Sequence, residues 1–139
     1  ASKILQGAKA APAVANEARF YRGKSYINLK KNDEAATDLQ AVAKDTRSAF
    51  GAEAQFLLAD IYYKWKSYDK AEKQVLAFMK EGTPYQYWMV RAVVVLSDAY
   101  VAKGDKFSAR QYLESLQANY KGSEADIKTM IDERLSALK

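Results

Sequence analysis

The chain has 139 residues and a formal net charge of +5, with neither Cys nor His. That length suits one domain with a core of its own. Without thiol or imidazole, Ser–His and Cys–His pairs and the common zinc sites are excluded; carboxylates, Lys, Ser and Tyr remain, and no enzyme, cofactor or metal is expected. The basic excess would suit an acidic partner, an anionic membrane surface or nucleic acid. Bases and acids nonetheless interleave, as in Asp69, Lys70, Glu72, Lys73 and in Asp132, Glu133, Arg134, the pattern of solvated helix faces. The longest apolar run, Ala92 to Leu96, is far too short to span a bilayer, so no direct membrane insertion is expected. A Cys-free chain is at home in cytosol or periplasm alike.

Helix is expected throughout, with apolar residues recurring at three and four positions. Val93 to Val95 lies inside such a pattern and is not a strand. Gly51, Gly82, Pro84, Gly104 and Gly122 sit where helices should end. Along the chain a unit repeats. Gly23, Tyr26 and Ala35 return as Ala59, Tyr62 and Ala71, then as Ser97, Tyr100 and Ala109, with the Ala residues 36 and 38 apart. Leu39, Val75 and Leu113 follow in the same register, as do Val42, Phe78 and Leu116. The units are placed at 16–49, 52–85 and 90–122 within a single domain, 1–139.

The positions have a physical reading. A small residue at Gly23, Ala59 and Ser97 lets the first helix of each unit (helix A) approach its partner, and Ala35, Ala71 and Ala109 do the same from the second (helix B). The Tyr between them fills the space and can carry its hydroxyl to the rim. Each hairpin is left with an apolar face that only a stacked neighbour can bury.

The last segment, 123–139, is expected to be a capping helix, with Ser123 as N-cap and Asp126 at the capping-box position. Ile127, Met130, Ile131, Leu135 and Leu138 form its apolar stripe. At the other end, Leu5 and Ala8 fall where Leu39 and Val42 fall one repeat later. Residues 1–15, with Ser2 to Lys9 as helix, therefore read either as the tail of a preceding repeat in a longer array or as an N-terminal cap.

Small–x–x–Tyr, an Ala nine residues on and two further apolar positions resemble the tetratricopeptide-repeat (TPR) consensus, and Lys103-Gly104-Asp105 is similar to the turn of that family. The resemblance covers most of the chain. It implies an all-α, right-handed superhelix of about three helical hairpins plus a C-terminal capping helix, with the A helices lining a concave groove. The function implied is a scaffold or adaptor that binds another protein or peptide. Carried over, the groove positions are Glu17, Phe20, Lys24, Ile27 and Asn28; then Glu53, Phe56, Asp60, Tyr63 and Lys64; then Arg91, Val94, Asp98, Val101 and Ala102. Lys24, Asp60, Lys64, Arg91 and Asp98 could grip a peptide backbone or its charges. The carboxylate clamp of chaperone-binding TPR domains is absent, because Phe20 and Lys24 hold its first-repeat positions and Asp60 stands where positive or amide character is wanted. The style of the third copy is similar to that of bacterial envelope TPR proteins, among them Tol–Pal-associated and outer-membrane-assembly members, which implies a bacterial source and a periplasmic location.

Trp65, Tyr68, Tyr85, Tyr87 and Trp88 are expected to gather near the junction of the second and third units, as packing residues or as anchors for a partner. Interleaved with Lys64, Lys66 and Lys70 they could also stack bases, although a nucleic-acid repeat needs a continuous positive stripe that the acids interrupt. Self-assembly through the groove or an open N-terminal edge is the other alternative. Glu81 to Pro84 and Gly23-Lys24-Ser25 lack the context of a phosphate-binding loop. Asp132 and Glu133 are neighbours on a helix and do not face each other.

Overall fold

A computed structural model describes residues 12–139, and all regular structure among them is helical. The helices are α1 (Pro12–Asn28), α2 (Asn32–Ala43), α3 (Ala49–Lys64), α4 (Tyr68–Glu81), α5 (Gln86–Ala102), α6 (Lys106–Asn119) and α7 (Ala125–Ala137). Among the described residues no helix is long and apolar enough to cross a membrane. The register of Leu5 and Ala8, and Ser2 to Lys9 as helix, lie outside the described residues.

Three hairpins, α1/α2, α3/α4 and α5/α6, stack in order, and α7 closes the stack. Each A helix touches the next, α1 to α3, α3 to α5 and α5 to α7, while no two of the B helices α2, α4 and α6 touch. A layer in contact on one side and splayed on the other curves the stack, with the A helices on its inner side.

The repeating positions form the core. Ala35, Ala71 and Ala109 are wholly buried, as are Ala59 and Ser97, and Leu39, Val75, Leu113, Val42 and Phe78 are buried around them. Each such aliphatic or aromatic side chain contributes about 1.5–3 kcal/mol by leaving water. At Gly23 the helices come so close that a β-carbon would sit 3.0 Å from Leu39 Cγ. The tyrosines do reach partners. Gln40 Nε2 donates to the Tyr62 hydroxyl across repeats at 2.8 Å, and Tyr100 stacks on Tyr112 with ring centroids 5.7 Å apart.

All three A-to-B turns are built alike. Each holds one residue in the left-handed region: Lys30 (φ 60), Lys66 (φ 62) and Gly104 (φ 85). The next amide reaches back to the helix: Lys31 to the Tyr26 carbonyl at 2.8 Å, Ser67 to Tyr62 at 2.9 Å and Asp105 to Tyr100 at 2.8 Å. This is the paired-bond helix stop that satisfies terminal carbonyls. Only the third turn places glycine at the left-handed position, so two lysines carry a strain of about 1 kcal/mol each.

Some expectations are corrected. Gly51 does not end a helix; it lies in the first turn of α3, where its amide donates to the side chain of the N-cap Ser48 at 2.9 Å. Ser123 does not cap α7, whose N-cap is Glu124, without a side-chain cap bond. Tyrosines fix that helix start instead: Tyr120 bonds Glu124, and the Tyr87 hydroxyl donates to Asp126 Oδ2 at 2.6 Å. The α7 stripe forms as expected, with Ile127, Ile131 and Leu138 buried and Met130 and Leu135 half-buried. The five aromatics do not gather. Trp65 and Tyr68 flank one end of α4 and Tyr85 to Trp88 follow the other, separated by a helix about 21 Å long.

Candidate protein-binding groove

The inner layer brings the sequence-predicted positions onto α1, α3 and α5, side by side. Their charges meet one another across the helix joints. Lys24 Nζ on α1 lies 3.1 Å from Glu53 Oε2 on α3. The Arg91 guanidinium on α5 lies over the Phe56 ring of α3, 4.3 Å from its centroid. Asp98 on α5 accepts from Arg134 Nε at 2.8 Å and Nη2 at 3.0 Å on α7. Each joint between inner helices is thus bridged by a charged residue of the candidate surface: Lys24, Arg91 and Asp98. Asp60 and Lys64 pair along α3 at 2.8 Å.

The predicted residues divide by exposure. Glu17, Asn28, Lys64, Val101 and Ala102 are exposed, whereas Lys24, Ile27, Glu53, Asp60, Tyr63, Arg91 and Asp98 are half-buried. Phe20, Phe56 and Val94 are buried, at 2%, 8% and 3% exposure, which corrects their placement as surface contacts. The reason is the joint itself. Phe20 packs on Phe50 with centroids 5.0 Å apart, and Phe56 packs on Trp88 at 5.7 Å under the Arg91 guanidinium. These rings shape the groove wall from behind.

Between α3, α5, α6 and α7 the layer opens into a pocket of about 370 Å³. Val101, Ala102, Leu113 and Leu138 give it an apolar lining, while Tyr63, Asp98, Lys106 and Arg134 supply polar groups. Burial pushes the Tyr63 hydroxyl above its usual range, and the nearby Asp98 carboxylate adds to the effect. The Arg134 guanidinium is raised too, chiefly by its hydrogen bonds to Asp98, and stays charged. Such a site offers a hydroxyl donor and fixed charges around an apolar hole. Arg134 and Lys106 were missed from sequence. Arg134 belongs to the terminal helix, where it reads as one of the charges of a solvated face, and Lys106 opens a B helix, outside the inner layer.

Among the described residues Arg91 forms no salt bridge; it rests between Phe56, Tyr87 and Trp88, 4.3, 5.8 and 5.8 Å from their centroids. A guanidinium packed on ring faces can still donate from its edge, and here the Tyr87 hydroxyl takes up part of that capacity.

Stacked helical hairpins with a curved inner layer define a helical-repeat solenoid. A tetratricopeptide-repeat model matches residues 17–45 and 92–123, and a second tetratricopeptide-repeat model matches 52–76. These matches fall one to a hairpin and cover well over half of the chain, which belongs to the tetratricopeptide-repeat family. Repeats of this family generally mediate protein–protein interaction. Comparison with curated proteins and with solved structures gives no significant match.

Proposed function

We propose that this chain is a scaffold or adaptor module that holds a peptide or an extended protein segment along the inner surface of α1, α3 and α5. The pocket beside Tyr63, Asp98 and Val101 carries this reading, because it sets an apolar hole beside the Tyr63 hydroxyl, Lys106 and the Asp98–Arg134 pair. An apolar side chain of the ligand enters it. The exposed Lys64 and the ring-cradled Arg91 meet acidic groups further along the ligand, which favours a segment with an aliphatic or aromatic residue flanked by Asp or Glu. Placement in the C-terminal part of a longer repeat protein rests on the register of Leu5 and Ala8, and the likeness to bacterial envelope members on the repeat spacing and the style of the third repeat.

Selection from a displayed random-peptide library tests the groove. A Val101→Glu/Lys64→Glu variant alters two exposed side chains and leaves the bridges at the helix joints in place. Peptides enriched on the unaltered protein should lose at least tenfold in affinity on this variant, about 1.4 kcal/mol. Equal binding to both proteins would move the site off the inner surface.

A further inference from the structure

The hairpins stack with one polarity, so all three A-to-B turns share an edge of the molecule. Lys103 at the third turn reaches Asp69 and Glu72 beside the second, at 2.7 and 3.1 Å. On this edge each turn sets one exposed apolar side chain next to one exposed lysine: Leu29 with Lys30, Trp65 with Lys66, and Phe107 with Lys106. Phe107 and Leu29, 68% and 64% exposed, are the two most exposed large hydrophobic residues among those described, and Trp65 is 38% exposed. None of the three lysines has a salt-bridge partner among the described residues. The neighbouring acids are engaged in the fold. Asp69 pairs with Lys103, Asp105 accepts from the Ser108 amide at 3.0 Å, and Asp33 and Glu34 occupy the first turn of α2, where the helix dipole favours them.

Little of this arrangement serves the core. Leu29 and Phe107 bury little of themselves, Trp65 keeps 38% of its surface exposed while its ring rests 6.0 Å from that of Tyr62, and Lys30 and Lys66 take a left-handed backbone where glycine, as at Gly104, would be unstrained. Strain kept at an exposed side chain points to work done by that side chain. We propose that this edge seats on the surface of an anionic lipid bilayer, with Leu29, Trp65 and Phe107 entering the headgroup boundary and the lysines meeting the lipid anions. Apolar and aromatic tips ringed by lysine are the composition that binds such an interface. The tips stand on three separate turns, which suits a planar fluid surface that receives each one singly. Leu29 offers no ring for a nucleic-acid base.

Sedimentation with vesicles tests this at roughly 0.1 M salt. Vesicles of phosphatidylglycerol mixed with phosphatidylcholine should bring the protein down, and vesicles of phosphatidylcholine alone should not. A Lys30→Gly/Lys66→Gly variant removes two charges while relieving the strain, so a loss of binding cannot come from unfolding; its partitioning should fall on the order of tenfold or more. A Leu29→Ser/Phe107→Ser variant should weaken binding as well, and Val101→Glu/Lys64→Glu should leave most of it. Equal sedimentation with both vesicle types, or undiminished binding by the glycine variant, would overturn the proposal. So would binding to soluble poly-glutamate or duplex DNA without binding to vesicles, which would assign the edge to an acidic protein or a nucleic acid. These outcomes are independent of peptide binding in the groove.

Discussion

Arg134 of the terminal helix closes Nε and Nη2 on the two oxygens of Asp98, at 2.8 and 3.0 Å, and so ties α7 to the third repeat. Arg134 also donates to the Met130 carbonyl within its own helix at 3.2 Å. A two-pronged pair of this kind is fixed in geometry as well as in charge. Side chains about a third exposed keep the energy modest. A double-mutant cycle over Asp98→Asn and Arg134→Gln should give a coupling of about 1 kcal/mol in urea denaturation. Amide exchange in α7 should accelerate in either single variant before the rest of the molecule responds.

The turns make a sharper prediction. Lys30→Gly and Lys66→Gly should each raise stability by about 0.5–1 kcal/mol, and Gly104→Ala should lower it by a similar amount. Nothing lies within 4 Å of a β-carbon built at Gly104, so backbone conformation alone sets that cost. Urea midpoints for the three variants check the signs together.

Gly23 answers to space rather than to dihedral angle. A Gly23→Val side chain would drive into Leu39, whose Cγ and Cδ2 lie 3.0 and 3.1 Å from the first added carbon. A loss of about 1–3 kcal/mol is expected. A Leu39→Ala change in the same chain should recover part of it, because the space then exists.

Alkali should find two half-buried tyrosines. Burial pushes the hydroxyls of Tyr100 and Tyr120 up to about 12, with nearby acids and, at Tyr120, the bond to Glu124 adding to it. Because the folded state holds these protons longer than the unfolded one, stability is unchanged below about pH 10 and declines between about 10 and 12. Urea midpoints across that window should fall, and Tyr100→Phe should fall less steeply.

The fold was legible because the same demand recurs at fixed spacing. Ala35, Ala71 and Ala109 meet one packing need three times, and a need met three times shows in the sequence. The groove was legible only in part. Lys24, Asp98 and Arg91 stand on A helices, but Glu53 and Arg134 pair with the first two while Phe56 lies under the third, and such contacts depend on the spacing between helices. The start of α7 misled for a related reason. Ser123 has the chemistry of a cap, yet Tyr87 and Tyr120 hold that helix start through Asp126 and Glu124, one of them from 39 residues away.

Backbone amide chemical-shift mapping tests the central claim most directly. A peptide selected on the unaltered protein is titrated into isotope-labelled protein, and the shifted amides are placed on the structure. Ligand in the groove predicts shifts concentrated around Asp60, Tyr63, Arg91, Asp98 and Val101, with α2 and the outer face of α4 unmoved. Shifts confined to the B helices, or spread evenly over the molecule, would contradict a binding site on the inner layer.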